Sequence, residues 1–415
     1  MIGLIFLIVL ASLLANPAPL AIEFSDLVLI ALPCLAALFS LGSNKTFKLY
    51  PSDNKLLLAI ILYLSYLLLS ALMGLIHGVP MLTVLRSVGP YLNFFPLILI
   101  SLLAAKTLRP SQLGLILILV GLMQVAYLFY LYFTHSSQIH STWGVLVNRV
   151  TLRDQRTTLP LLLAVTSLPF IYLKSARKWI TYFMALTLIL LGFFAGIATL
   201  TRAIFLSILF GWLVFLLLYL YQKSRINSVS VLSLLGKLLV YLPLIALILA
   251  LISCIPKIHL IEMGLLSRFN HYPAQGGADY SNGRLYDEWI PALMTWLNSD
   301  LLGLFFGIGA GNAFTVLSGE ERTYIHNLTI YTLVYGGFYG FLSCLWLYFM
   351  TFKTLVRQAL QTEDLVYLAF ASLLASMYFY GQLFAVHKGL AFNVMLFLII
   401  GLALRQPESS DDHGE

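Results

Sequence analysis

Charged residues are scarce in this chain, and their scarcity excludes an ordinary soluble domain. Only 10% of the 415 residues are Asp, Glu, Lys or Arg, whereas 60% are hydrophobic and the mean hydropathy is +0.92. Apolar stretches of about 17–25 residues are long enough to cross a bilayer as helices. Because backbone polar groups in lipid must be satisfied within helices or closed barrels, the composition predicts one α-helical membrane domain.

Cysteine is scarce too, and its positions exclude a disulfide framework. Cys34, Cys254 and Cys344 lie in or at the ends of apolar segments, without a metal-binding spacing, and are interpreted as packing residues. The acidic residues expected outside the membrane also lack a metal-ligand spacing. We therefore predict no metal and no cofactor.

Acidic residues are missing from the middle of every apolar segment. All 17 lie in loops, at segment ends or in the C-terminal tail. Ion-coupled transporters usually carry such residues on their pathway, so this absence disfavours a coupled carrier. The same absence does not exclude a lipid flippase.

Twelve apolar segments are the main positive feature of the chain. Their approximate bounds are residues 1–14, 19–41, 55–76, 82–105, 113–133, 159–173, 179–198, 203–222, 231–254, 327–350, 365–383 and 389–404. The first has no basic region before it and no convincing cleavage site after it, so it is interpreted as a retained helix. The prediction is an all-α integral membrane protein of about 12 transmembrane helices. A single domain spans residues 1–405, with a large outer loop at 255–326 between helices 9 and 10 and a tail at 406–415.

Positive charges predict the orientation of these helices. Fourteen of them fall on alternate connections and mark the cytoplasmic side: Lys45, Lys48, Lys55, Lys106, Arg109, Lys174, Arg177, Lys178, Lys223, Arg225, Lys237, Lys353, Arg357 and Arg405. With 12 helices, both termini lie on that side. The acidic tail is then a solvated cytoplasmic end.

The remaining positive charges, on the outer side, differ in residue type. They are Arg86, Arg149, Arg153, Arg156, Arg202, Lys257, Arg268, Arg284, Arg322 and Lys388. Eight of these ten are Arg, whereas nine of the fourteen inner charges are Lys. Arg presents a planar fork of donors that fits phosphate bidentately, so the outer face is interpreted as a binding surface for phosphate or carboxylate groups. Lipid headgroups or acidic residues of the same loops are alternative partners. Because the charges are spread over topology-determining loops, nucleic acid is not expected.

The outer loop contains three features that the sequence singles out. Arg284 opens a short amphipathic helix near residues 284–297, and Asp287 and Glu288 follow one turn later. These acids either pair with Arg284 or bind a sugar hydroxyl. Four glycines between residues 303 and 311 predict a turn whose backbone closely approaches another group. His326 and Asn327 then open the next helix.

A second basic cluster lies at residues 148–156. A helical periodicity would place Arg149, Arg153 and Arg156 on one face. This face either binds the phosphate or carboxylate of a substrate or meets lipid headgroups at a helix end.

The order of these features resembles that of the O-antigen ligase and O-antigen polymerase superfamily of bacterial membrane glycosyltransferases. The matching features are Arg202 just after an apolar helix, Arg284 on a loop helix, the sequence GIGAGN, the His326-Asn327 pair and the sequence GGFYG. The similarity covers residues 196–340; the first half matches only in helix number and hydropathy. The resemblance implies a GT-C-like fold, a bacterial inner-membrane location and a periplasmic active site. It also implies that His326 is essential and that Arg202 and Arg284 contact a lipid diphosphate. Many relatives have an acidic residue soon after the His-Asn pair, and this chain has none there.

The residues and the resemblance together predict a metal-independent inverting glycosyltransferase of surface polysaccharide assembly, for O-antigen lipopolysaccharide or exopolysaccharide. The donor is a glycan on undecaprenyl diphosphate. His326 acts as the base, because histidine, with an ordinary pKa of about 6.5, is mostly neutral near pH 7. Further substrate contacts are assigned to Arg268, Arg322, Arg149, Arg153, Arg156 and Asn327.

The acceptor is left open by the sequence. A second lipid-linked glycan, which is slightly favoured, makes the protein a polymerase that could act with a chain-length-regulating co-polymerase. Lipid A–core as acceptor makes it a ligase, and a flippase without chemistry is the more distant alternative. For His326, a structural role as a helix cap or as the partner of a carbonyl also remains open.

Overall fold

The computed structural model describes residues 7, 54–92, 109–134, 137–140, 146–149, 160–174, 178–198, 202–227, 284–385 and 389–405. The helices before the outer loop are α1 (Asn54–Ile76), α2 (Met81–Leu92), α3 (Pro110–Thr134), α4 (Pro160–Ser167, continued as a 3₁₀ helix over Leu168–Lys174), α5 (Lys178–Ala198) and α6 (Arg202–Asn227). The later ones are a π-helix (Arg284–Trp289), α7 (Ile290–Leu297), α8 (Leu301–Phe306), α9 (Leu328–Thr362), α10 (Leu365–Leu383) and α11 (Leu390–Ala403). Two short hairpins pair β1 (Ser137–His140) with β2 (Leu146–Arg149) and β3 (Phe314–Thr315) with β4 (Glu321–Arg322).

Five of these helices, α1, α3, α6, α9 and α10, are long and apolar enough to cross a membrane. Shorter apolar helices accompany them within α4, α5 and α11. This composition is that of a multi-pass, mostly helical membrane protein, as the sequence predicted. Apart from Leu7, the first two apolar segments lie outside the described residues, as do the ninth segment and loop residues 255–283. The count of 12 helices and the sidedness stay predictions.

The helical bundle has two chemically different ends. α9 packs along α1 and α10, and α10 packs along α6. At one end, Gln222 Nε2 donates to the Ala359 carbonyl at 2.7 Å and Gln358 Nε2 donates to the Ala403 carbonyl at 3.0 Å. The opposite end carries residues 284–327 and is called the loop end below. The candidate site therefore lies at one end of the bundle.

The glycine-rich turn at residues 307–312, called the loop turn below, is inserted between α1 and α9. The Ile308 N–H donates to the Val334 carbonyl at 2.9 Å, and the Ala310 N–H donates to the Ser70 carbonyl at 2.7 Å. A Cβ on Gly309 would lie 2.2 Å from the Gly74 nitrogen, and φ at Gly309 is +88°. The predicted close approach is confirmed, and what the turn approaches is the backbone of two apolar helices.

α9 bends where the loop turn meets it. Gly337 has φ of 62° and ψ of −164° inside the helix, which breaks the helical path. The carbonyls next to this bend accept hydrogen bonds from outside the helix: Val334 from the loop turn, and Tyr335 from the Ser70 hydroxyl at 2.8 Å. Such partners are what permits a bend in an apolar helix, because no water is available in lipid to satisfy the freed groups.

The sequence GGFYG also brings α1 close to α9. A Cβ on Gly336 or Gly340 would overlap the Tyr66 ring, at 2.2 Å and 2.6 Å from its nearest atoms. The absence of side chains at Gly336 and Gly340 of α9 therefore makes room for the buried Tyr66 ring of α1. Small residues on one helix thus let another helix come close, as is common between membrane helices.

The helical interpretation of the basic cluster is wrong at Arg149. This residue ends strand β2 and pairs with Ser137 of β1 in an antiparallel hairpin. Val147, a β-branched residue that pairs with Ile139 of β1, suits a strand. Arg149 therefore has no helical face to share with Arg153 and Arg156, which lie outside the described residues.

Candidate functional site

The site begins at the predicted short helix, which consists of a π-helix (Arg284–Trp289) followed by α7. Pro291, in the first turn of α7, has no N–H to donate to the Asp287 carbonyl four residues earlier, which accepts the Leu317 N–H at 3.3 Å instead. The wider turn of a π-helix changes which side chains share a face, and such segments are frequent at functional sites. Here Glu288 is turned into the protein and is only 1% exposed.

Glu288 binds His326 through both of its oxygens. Its Oε2 lies 2.8 Å from His326 Nδ1, and its Oε1 accepts the backbone N–H of the same histidine. His326 immediately precedes the N-cap of α9, so the contact joins the loop helix to the start of a spanning helix. This carboxylate–imidazole pair is the centre of the candidate site.

Arg322 places a positive charge beside the buried Glu288 carboxylate. Its guanidinium lies 3.4 Å from Glu288 and 3.0 Å from Glu320. Asp287, the neighbour of Glu288, lies 3.8 Å from the same guanidinium and accepts the Ser318 N–H at 3.1 Å. The alternative in which a loop arginine pairs with acids of its own loop therefore describes Arg322.

Arg284 and His326 contact one shared aromatic ring, that of Phe384. The Arg284 guanidinium stands over the Phe384 ring at 5.1 Å from the centroid, and its Nη1 donates to the Leu383 carbonyl at 2.9 Å. His326 meets the same ring edge to face, with centroids 5.6 Å apart. Arg284 and His326, which the sequence had assigned to one reaction, thus contact the same Phe384 ring.

Asn327 serves the helix rather than a ligand. Its Oδ1 accepts the Ile330 N–H at 2.9 Å, and its Nδ2 donates to the Gln382 carbonyl at 3.0 Å. An N-cap of this kind stabilises a helix start by about 0.5–2 kcal/mol. Asn327, and not His326, is the cap, and the ring of His326 bonds a carboxylate instead of a carbonyl. His326 is therefore neither the cap of the helix nor the partner of a carbonyl, the two structural roles that the sequence left open.

The charge state of Glu288 determines which ring nitrogen of His326 carries the proton. Burial alone would raise the pKa of Glu288, but the hydrogen bonds and charge of His326 and the charge of Arg284 outweigh burial and lower that pKa below its usual value of 4.5. An ionised carboxylate has no hydrogen to donate. The Nδ1 of a neutral His326 must therefore carry the proton, which leaves a lone pair on Nε2. Among the residues that the structure describes, no group hydrogen-bonds Nε2.

The remaining predicted site residues are placed only in part. Arg202 is the first residue of α6, and since Gln222 of that helix lies at the far end of the bundle, Arg202 lies at the loop end. Its side chain is not described. Arg149 lies in β2, and Arg153, Arg156 and Arg268 fall outside the described residues. The structure therefore brings together His326, Arg284 and Arg322 of the predicted set.

Glu288 is the site residue whose role the sequence analysis missed. The acidic residue that many relatives have follows the His-Asn pair, whereas Glu288 precedes the histidine by 38 positions. The available signal was an acid in the apolar face of an amphipathic helix, between Tyr286 and Trp289. A buried carboxylate at such a position needs a partner.

No protein-family model matches the chain, and it has no significant match among curated proteins. Within the part of the chain that the structure describes, no three His, Cys, Asp or Glu side chains come together as metal ligands would. The assignment of a function therefore depends on the site itself.

Proposed function

We propose that the protein is a membrane glycosyltransferase that takes its sugar donor from a lipid diphosphate, with undecaprenyl diphosphate as the carrier. The observation that carries the proposal is the ionised Glu288 bound to Nδ1 of His326, with Arg284 on the same Phe384 ring as the histidine, at one end of a membrane bundle. A base with an open lone pair beside a guanidinium suits transfer from a phosphate leaving group. The position at a helix end suits a substrate whose lipid tail stays in the bilayer.

His326 would be the general base of this reaction. Nε2 takes the proton from an acceptor hydroxyl while the oxygen of that hydroxyl forms a bond to the anomeric carbon. The bond between the anomeric carbon and the diphosphate oxygen breaks, and the diphosphate leaves with the electron pair. Attack opposite the leaving group inverts the anomeric centre. The resemblance to the O-antigen ligase and polymerase superfamily supports the same role for His326.

Arg284, together with Arg202, would bind the diphosphate. The guanidinium of Arg284 is fixed by the Leu383 carbonyl and by the Phe384 ring, so little freedom is lost when it binds an anion. Positive charge at this place stabilises the diphosphate as it departs. Transfer would occur at the periplasmic face of the bacterial inner membrane, in surface polysaccharide assembly.

The histidine assignment is tested with purified protein in proteoliposomes, by measuring new glycosidic bonds on lipid-linked donor. His326→Ala should lower the rate by about 10²–10⁴-fold, the usual contribution of a general base. The control is His77→Ala, since His77 lies at the same end of the bundle but binds the Ile308 carbonyl. Near wild-type transfer by His326→Ala would refute the assignment.

The same assay separates the acceptors. Product growth with lipid-linked repeat units alone indicates a polymerase, and transfer that requires lipid A–core indicates a ligase. Movement of lipid-linked glycan across the bilayer without any new glycosidic bond would indicate a flippase and would contradict the proposal.

The role of Arg284 is tested by Arg284→Lys, which keeps the charge but removes the planar fork. Activity should fall by at least about tenfold, with a higher KM for the donor, because a bidentate contact is lost. Equal activity in Arg284→Lys would exclude bidentate phosphate binding by this residue.

A further inference from the structure

We propose that Glu288 is a positioning residue that fixes the tautomer of His326, so that Nε2 and not Nδ1 is the basic nitrogen. The effect on rate rests on the proposed function, whereas the tautomer can be measured without any assumption about catalysis. Three groups converge on the Glu288 carboxylate.

Three groups contact the Glu288 carboxylate, and two of them can act only as hydrogen-bond donors. The His326 backbone N–H donates to Oε1, and Arg322 Nη1 and His326 Nδ1 approach Oε2 at 3.4 Å and 2.8 Å. A backbone amide and a guanidinium can only donate. Glu288 is 1% exposed, so water cannot replace a missing acceptor. A carboxylate with two acceptor oxygens satisfies this set, and it does so only while Nδ1 also donates.

Glutamine at this position has one oxygen and one NH₂ group, and cannot satisfy the same set. If its oxygen faces the backbone N–H of His326, its NH₂ group faces Nδ1, which must then lose its proton to accept. The imidazole proton moves to Nε2, the nitrogen required as the base. The opposite orientation sets an NH₂ group against a buried N–H and is costly. Glu288→Gln therefore favours the tautomer that is inactive as a base at Nε2.

A matched control lies next to Glu288. Asp287 is also acidic and also near Arg322, but it is partly exposed and its Oδ1 binds the Ser318 N–H instead of the histidine. Asp287→Asn changes the net charge of the site by the same amount as Glu288→Gln. A tautomer effect should appear only in the second variant, whereas a general charge effect should appear in both.

The experiment measures tautomer and rate on the same full-length proteins. Histidine labelled with ¹⁵N gives separate signals for protonated and unprotonated ring nitrogens, and His326→Gln identifies the His326 signals. We expect Nδ1–H in the wild type, in Asp287→Asn and in Glu288→Asp, which retains both acceptor oxygens, and Nε2–H in Glu288→Gln. Transfer should fall by about 10²–10⁴-fold in Glu288→Gln and by less than about twofold in Asp287→Asn.

The outcomes separate this proposal from the proposed function. An Nε2–H tautomer of His326 in the wild type would overturn the positioning role, as would an unchanged tautomer in Glu288→Gln. If the tautomer changes as expected while neither Glu288→Gln nor His326→Ala alters transfer, the positioning role stands and the base assignment fails.

A different observation carries a second inference, about where the loop helices lie. Large apolar side chains on α7 and α8 are exposed, among them Leu297 (55%), Leu301 (74%) and Phe305 (58%). The Phe305 ring contacts Phe338 of α9, and Phe338 and Leu342 are themselves exposed on that spanning helix. The exposed apolar surface of the loop helices is therefore continuous with the lipid-facing surface of α9.

We infer that this face of α7 and α8 is embedded among lipid acyl chains and not held above the membrane. Leu301 and Leu302, both more than half exposed, would otherwise leave a large apolar patch in water. The polar residues Asn298 to Asp300 join the two helices and provide a headgroup-level connection. Interfacial helices lie at the acyl boundary with their apolar face down in this manner.

Spin labels measure this depth directly. In a background in which Cys34, Cys254 and Cys344 are replaced by alanine, single labels are placed at Leu301→Cys and Phe305→Cys. Leu342→Cys is the lipid-facing reference, and Ser318→Cys, exposed on the β3–β4 hairpin, is the aqueous reference. Labels at 301 and 305 should be accessible to oxygen and protected from a water-soluble nickel complex, as at 342.

Accessibility of the 301 and 305 labels to nickel equal to that at 318 would overturn the inference. Protection from both reagents would also overturn it, since this pattern shows that protein covers the face, as in a second copy of the chain.

Discussion

The loop end contains two regions that were both conspicuous in the sequence but are built from different interactions. The loop turn is held by backbone hydrogen bonds and by contacts that leave no room for a Cβ atom. The cluster of Glu288, His326 and Arg322 is held by side-chain charges, and two of its members are partly exposed. We expect the first region to contribute mainly to stability and the second mainly to activity. Substitutions should therefore separate stability from activity.

The largest effect is expected in the loop turn, from Gly309→Ala. The new Cβ would lie 2.2 Å from the Gly74 nitrogen at a φ of +88°. Strain and overpacking together should destabilise the protein by roughly 2–6 kcal/mol. The measurement is the midpoint of thermal unfolding in detergent, with the yield of monodisperse protein.

Gly319→Ala is the matched control, because φ there is +84° but no atom lies within 4 Å of the added Cβ. It should cost about 1 kcal/mol, the strain of a left-handed alanine alone. Equal losses for the two alanines would show that close packing of the loop turn contributes nothing.

A smaller effect is expected from Ser70→Ala, which removes the hydroxyl bound to the Tyr335 carbonyl at the bend. Leaving a buried carbonyl without this donor should cost about 1–3 kcal/mol. Ser343→Ala is the comparison, since that hydroxyl bonds the Tyr339 carbonyl four residues earlier in the same helix. If the two unfolding midpoints fall equally, the bend does not depend on α1.

The smallest effect on stability is expected in the charged cluster, and it should depend on pH. Because the folded-state pKa of Glu288 is lowered, its ionisation stabilises the protein above its unfolded pKa, and this contribution is lost as pH falls through the lower folded pKa. His326, Arg322 and Arg284 are the charged groups that face it. The difference in unfolding midpoint between wild type and Glu288→Gln should be constant near neutral pH and shrink below the usual value of 4.5.

A difference that is unchanged down to pH of about 3 would mean that the carboxylate charge does not contribute. Transfer activity measured near neutral pH should still be lost in Glu288→Gln, which keeps the two regions distinct.

The sequence predicted the parts of this end that depend on local pattern. Hydropathy located α10 at its observed bounds, and the density of glycine predicted the close approach of Gly309. The sequence did not reveal that the loop turn approaches Gly74 of α1 and the backbone of α9, because sequence spacing carries no information on contacts between distant helices. The pairing of Glu288 with His326 was missed for the same reason. The helical pattern at Arg149 was wrong because three basic residues at a helical spacing fit other structures equally well.

The bend at Gly337 has a consequence for how the chain assembles. The donors that bond the carbonyls at the bend come from α1, which is synthesised early, and from the loop turn, which is synthesised shortly before α9. In lipid, α9 can bend only where these donors contact it, because a straight helix is otherwise the form whose backbone groups are all bonded. We therefore expect the bend to form together with the docking of the loop turn between α1 and α9.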